Sequence, residues 1–279
     1  MRNLDETTIT QAVLANNRNT ADARLCEVMT SLVQHLHGFA RDIRLTETEW
    51  HRGIEFLSQV GKACSPQRQE FALLSHVLGV STLVLAQSDD KPSECTEAAA
   101  FQPGVTEPAV MHDLGADLSP GQEGSKAYVQ GAVRDAQGAP IAYASIEVNV
   151  PAEQGQGSRH ALLQADDRGQ YHFCVAAPRS QCVAENGPVS ELLAALNRHA
   201  WRPAHLEFTV SAPGYQRVTT QVFREGDPYL DSDAVFGVRS SLVADWVLHP
   251  AGTNVAGAPA AAAFYTLAFD FVLASSTAA

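Results

Sequence analysis

The hydrophobic period of this chain changes once, and the change divides it. Up to about residue 86 apolar residues recur every three or four positions, and beyond about residue 127 they alternate. One kind of element cannot satisfy both periods. The pattern predicts an α+β fold: a helical N-terminal domain over 1–86, then an antiparallel β-sandwich over 127–279. Between them, 87–126 is rich in Ser, Asp, Pro, Gly and Ala without periodicity. Such long connections are usually functional or draped over a neighbouring domain.

Within the first domain, Leu25, Val28, Leu32, Leu36, Phe39 and Ile43 form one stripe along a helix over 23–43, which reads as buried. His35 and His37 lie two apart on that helix, so they point to different faces and cannot act as a helical metal pair. Thr46 and Glu49 make a capping box for a second helix, with Leu45 and Trp50 placed as its hydrophobic staple and Gly61 as its end. Ser65-Pro66 predicts a third helix with Pro66 in its first position, running through FALLSHVLGVSTLVLA as a largely buried segment. In the second domain, strands over 127–134 and 141–150 flank the turn signal DAQG, and strands over 160–165 and 170–175 flank DDRG. Further strands fall at 206–211, 217–223 and 264–273.

Charge and cysteine content narrow the function classes. A net charge of -12 without any Lys/Arg stripe argues against nucleic-acid binding. The opening MRNLDETTIT has no apolar core of a signal peptide. The Ala-rich stretch from Val255 to Ala274 is interrupted by Pro259 and Asp270 and reads as linker and strand, not as a membrane span. Five cysteines without a CxxC pair point to reduced thiols and a cytoplasmic protein.

Several stretches are long and ordered enough to carry a resemblance. They are HLHGFARDIRLTETEWHRGIEFLSQVG, RQEFALLSHVLGVS, NGPVSELLAALNRHAWRPAHLEFTVSAPGYQRVTTQVFREGDPYLDSDAVFGVRSSL and the final FYTLAFDFVLA. Together they resemble the intradiol catechol and hydroxyquinol 1,2-dioxygenases, nearest the hydroxyquinol branch. The resemblance implies a ferric ion held by two tyrosinates and two histidines, which polarises a bound catecholate so that oxygen opens the ring between the hydroxyl-bearing carbons. It also implies a homodimer formed through the N-terminal helices, with a lipid-like molecule between the subunits, an interface that the 23–43 stripe suits, although a plain intrachain core would leave the same pattern.

Carried over residue by residue, the resemblance predicts an altered iron site. The histidine motif reads Arg202-Pro203-Ala204-His205-Leu206-Glu207-Phe208, so His205 is kept and Glu207 replaces the second histidine. One tyrosine position falls on Gln181, in Pro178-Arg179-Ser180-Gln181-Cys182. The other belongs to the loop after Ile146–Val150, which is shortened to PAEQGQGSR and has no tyrosine. Three of the four ligands are thus replaced. Pocket positions change as well, to His76, Gly104 and Cys182, whereas the 226–237 loop is intact, unlike the outcome of general drift. The expectation is a binding or regulatory paralogue with an aromatic pocket, not competent for the usual ring cleavage.

Other readings stay open at this stage. Residues two apart on a strand share a face, so His205 and Glu207 could begin a divalent metal site completed by His160, His199 or Cys182. The blander reading is a polar face salt-bridged to Arg202. Arg202 itself either stabilises charge beside a substrate, as the resemblance implies, or pairs with Glu207. Cys182 could be a nucleophile with His199 or His205 as base, against an inert buried thiol. Ordinary cleavage survives if the loop is misaligned and a tyrosine such as Tyr171 reaches the iron.

Overall fold

Capping decides where the N-terminal helices begin. In the computed structural model, which describes residues 3–66, 68–88, 90–99, 108–150, 159–255 and 258–276, a short helix α1 (Ile9–Asn17) precedes α2 (Ala23–Asp42). The Asp22 carboxylate accepts from the Arg24 and Leu25 amides and starts α2. The capping box of α3 (Glu47–Ala63) is present: the Thr46 amide donates to Glu49 at 2.9 Å, and the Glu49 amide to Thr46 Oγ1 at 3.3 Å. Gly61 lies inside α3 with ordinary helical backbone, so it does not end the helix as its position suggested.

The third predicted helix differs most. Pro66 does not start it; Ser65 and Arg68 pair in a bridge, and α4 (Glu70–Val77) begins after Gln69. Gly79, at φ 73°, then breaks the segment, and α5 (Val80–Ser88) leaves at 76°. Only α4 is buried, with Glu70, Leu74, His76 and Val77 inside, while α5 buries nothing. The expected burial of the α2 stripe also fails within one chain. Leu25, Val28, Leu32, Leu36, Phe39 and Ile43 are all exposed, as are Trp50, Ile54 and Leu57 on α3.

Two compact units result, Met1–Gln59 and Val60–Ala279. In the second, strands β1 (Val110–Met111), β2 (Lys126–Asp135), β3 (Ser145–Val150), β4 (Arg159–Gln164) and β5 (Gln170–Ala176) come first. The short pair β6 (Gln181–Cys182) and β7 (Trp201–Arg202) brackets α6 (Pro188–Ala195). They are followed by β8 (His205–Ser211), β9 (Val218–Arg224), β10 (Val243–Ala244) and β11 (Trp246–His249). A small hairpin β12 (Asn254–Val255) and β13 (Ala258–Pro259) precedes β14 (Phe264–Ala268) and β15 (Phe271–Leu273).

One sheet runs β1-β4-β3-β8-β9-β10; the other runs β11-β14-β2-β15, with β5 also on β2. The turns at DAQG and DDRG form as expected, with Gly138 and Gly169 at positive φ; DAQG closes a single antiparallel bridge between Arg134 and Pro140, but neither turn joins two paired strands of one sheet. Each carries the chain from one sheet to the other, since β2 and β5 pair with each other, and β3 with β4. The predicted final strand is two, kinked at Phe269–Asp270, where the backbone passes so close to Gly131 that a Cβ there would sit 1.7 Å from the Phe269 oxygen. Both run parallel to β2, so the sandwich is mixed and not purely antiparallel.

The core lies between the sheets. Alternation along β3 and β8 sends Ile146, Val148, Val150, Leu206, Phe208 and Val210 inward to meet Tyr171, Phe173 and Phe271. The opposite face of the same strands carries Asn149, His205 and Glu207.

Candidate functional site

Three neighbouring strands place polar side chains in one row. Asn149 on β3 is the direct partner of Glu207 on β8, and Glu207 of Gln221 on β9. Direct cross-strand partners stand about 5 Å apart on one face, within reach of hydrogen-bonding heads. Asn149 Nδ2 donates to Glu207 Oε2 at 2.7 Å, and Gln221 Nε2 to Glu207 Oε1 at 2.8 Å. Both carboxylate oxygens are therefore engaged by neutral amides.

Arg202 and His205 complete the cluster. Arg202 is 1% exposed and His205 3%. The Arg202 guanidinium donates through Nε and Nη2 to the two Asp233 oxygens at 2.9 and 3.1 Å, and through Nη2 to Gln221 Oε1 at 2.8 Å. Its partner is thus Asp233, which corrects the pairing with Glu207 considered from sequence. His205 Nδ1 lies 2.7 Å from the Pro203 carbonyl, so that nitrogen carries the proton. Nε2 faces Arg202 Nη1 at 3.4 Å and Glu207 Oε1 at 3.7 Å.

One guanidinium thus pairs with the buried Asp233 and places its charge near the partly buried Glu207. Burial would raise the Glu207 carboxyl; the adjoining His205 imidazole, the Asn149 amide and the Arg202 charge outweigh it and hold the pKa down at about 2. Burial also opposes ionisation of Asp233, and the Arg202 guanidinium with the Gly237 and Val235 amides holds it below the usual carboxylate range.

The intact 226–237 loop has a structural task here. Asp233 reaches back from it to Arg202 and also accepts from the Gly237 amide at 2.9 Å. A Cβ on Gly237 would come within 2.8 Å of Arg202 Nη2. Asp227 accepts from the Ala204 amide at 3.1 Å and from Ser180 at 2.8 Å, fixing the strands that carry His205 and Gln181. The loop thereby braces the RPAH segment.

The remaining predicted positions are dispersed or differently occupied. Gln181 pairs in register with Arg202, and Cys182 with Trp201. His199 is turned away, hydrogen-bonded to Ser232 at 3.0 Å and to the Trp201 amide at 3.1 Å. His160 pairs with Asn149 in the strand register, one strand beyond Glu207. Among the described residues no group of three His, Cys, Asp or Glu side chains is placed to hold a metal ion, so His160, His199 and Cys182 do not complete a site with His205 and Glu207. His76 is buried in α4. Gly104 and the loop 151–158 lie outside the described residues.

Tyr171 does not approach His205. Its hydroxyl donates to the Phe269 carbonyl at 2.7 Å inside the sandwich core, and burial pushes its pKa well up, opposite to what a tyrosinate ligand needs. Tyr229 stacks on Trp201. No tyrosine is hydrogen-bonded to Arg202, His205 or Glu207 among the described residues. These donors do not fit a ferric centre with two tyrosinates and two histidines.

Asn149, Gln221, Asp227 and Asp233 were missed from sequence. Asn149 and Gln221 have the strand parity of Glu207, a signal visible only once the register is known. Asp233 and Asp227 sit in the loop whose preservation was noted without its cause.

Comparison with known proteins places this arrangement. Residues 22–96 match the model for the catechol dioxygenase N terminus, and residues 100–275 match the dioxygenase model. The chain is 43% identical over 287 aligned positions to a 6-chlorohydroxyquinol 1,2-dioxygenase of Cupriavidus pinatubonensis, covering 98% of this chain and 99% of that one. It is 40% identical to a hydroxyquinol 1,2-dioxygenase of Rhodococcus opacus, covering 89% and 86%. The solved hydroxyquinol 1,2-dioxygenase of Pseudomonas putida DLL-E4 superposes with a TM-score of 0.88 at 36% identity, over 97% of this chain and 99% of that one. With both halves matched and relatives similar from end to end, the chain belongs to the intradiol ring-cleavage dioxygenase family.

Proposed function

We propose that this chain is a binding or regulatory member of its family that does not open aromatic diols by the ferric route. The observation that carries the reading is the state of position 207. A carboxylate stands where the resemblance calls for a neutral imidazole ligand, and both its oxygens are taken up by Asn149 and Gln221. Gln181 at a tyrosine position supports it, because a neutral amide is a poor ligand for ferric iron. Arg202 Nη1 lying 3.4 Å from His205 Nε2 supports it further, since Nε2 is the ring nitrogen not engaged by the Pro203 carbonyl and the one a metal would use.

The scaffold fits a soluble partner of small aromatic molecules that assembles as a homodimer. The exposed apolar faces of α2 and α3 suit burial against a second copy, and the family resemblance implies a lipid-like molecule between the subunits. None of the five cysteines forms a disulfide, in keeping with a reducing cytoplasmic setting. No helix among the described residues is long and apolar enough to cross a membrane by itself.

The test is oxygen uptake by the purified protein with hydroxyquinol, 6-chlorohydroxyquinol and catechol, with and without added ferric iron. The expected outcome is no uptake above the protein-free rate in any arm. Stoichiometric ring opening of any of the three would overturn the proposal.

A further inference from the structure

A metal ion in a β-sandwich does structural work as well as chemistry, because it ties together side chains from separate strands. The Glu207 carboxylate has the connections to do that work. It receives Asn149 from β3 on one side and Gln221 from β9 on the other, while its own backbone belongs to β8. Gln221 relays the link onward, since its carbonyl oxygen accepts from Arg202, which is held in turn by Asp233. A carboxylate offers acceptors on both sides and matches two amide donors. An imidazole has at most one acceptor and would leave one amide unmet.

We infer that Glu207 is a built-in substitute for a metal ion, a carboxylate bolt that joins β3, β8 and β9 and makes the folded site independent of metal. This deepens the reading proposed above and rests on it for the claim that no iron is used. Asn149 completes the argument from the other side: its Oδ1 is buried without a hydrogen-bond partner, so the residue is held by its single bond to Glu207. An orphaned acceptor is tolerated where the donor end makes a strong charge-assisted bond.

Thermal unfolding of the wild type, Glu207→Gln, Glu207→Ala and Glu207→His, each with chelator, ferric iron or zinc, tests this. The wild-type transition should not move with chelator or either metal. Glu207→Ala should lower Tm by roughly 6–10 °C, the shift that loss of a buried hydrogen-bonded carboxylate gives in a chain of this size. Glu207→Gln should fall in between, because Asn149 can rotate and present its oxygen to the new amide. Glu207→His should be destabilised and gain no stability from metal, although it restores the second histidine. Asn149→Ala provides an independent arm, and its effect should not add to that of Glu207→Ala, since both remove the same bond. A wild-type Tm that drops with chelator overturns the inference, as does a Glu207→Ala protein within 2 °C of wild type. Either result is distinguishable from failure of the proposed function, which ring opening alone would decide.

Discussion

Strand β8 has two faces, and they differ in kind. Leu206, Phe208 and Val210 point into an apolar core shared by both sheets; His205 and Glu207 point the other way into a polar cluster of opposite charges and amides. The first face keeps the packing of a dioxygenase sandwich, and the superposition on the Pseudomonas putida structure reflects it. The second carries His205 and Glu207 among amides and an arginine. The contrast shows how differently the two faces of one strand are constrained. Core positions are coupled to every neighbour through close packing, whereas a site on the outer face can be rebuilt by a few polar substitutions that satisfy each other.

The largest effect should come from breaking the apolar face. Phe208→Ala removes a ring packed against Phe173 and Phe271 and should cost about 3–5 kcal/mol, read from denaturant unfolding. A loss under about 1 kcal/mol would mean that this face is not the core that the alternation implies.

The polar face should respond to pH where the apolar one does not. The Glu207 carboxyl drops from 4.5 to about 2 on folding. A carboxylate depressed in this way stabilises the fold above its unfolded value, and the benefit is lost as pH falls toward the folded value. Glu207→Gln should therefore be less stable than wild type by about 1–2 kcal/mol at neutral pH, less than Glu207→Ala, because Asn149 can rotate to meet the new amide. The gap should close between pH 5 and pH 2. A gap that is constant over that range would show that Glu207 ionisation plays no part, whereas the Phe208→Ala deficit should persist across it.

The smallest stability effect should come from the other exposed region. Leu36→Asp on the α2 stripe should change the unfolding free energy of the chain by no more than about 0.5 kcal/mol, since Leu36 is half exposed. It should nonetheless abolish self-association in sedimentation. A dimer that survives the substitution would place the interface elsewhere.

Much of this was legible in the sequence, and what was not has identifiable causes. Strand alternation located β2, β4, β5, β8 and β9 within a residue or two, and the capping box at Thr46 started α3 where expected. The stripe from Leu25 to Ile43 predicts a buried face, but periodicity does not say whether the same chain or a second copy covers it, and within one chain it is exposed. Proline at 66 misled because a turn between Ser65 and Arg68 competes with helix initiation there. At the site, position 207 was visible as a replacement, but its partners were not. Pairing of Asn149 with Glu207 and Gln221 depends on inter-strand register, and Asp233 reaches Arg202 across 31 residues of chain.

Metal content tests most directly whether the polar face has any use for ferric iron. The protein, produced in iron-replete medium and purified without chelator, should carry well under one equivalent of iron per chain and show no tyrosinate-to-iron absorption in the visible range. One equivalent of ferric iron with that band, lost in His205→Ala, would contradict the proposed function.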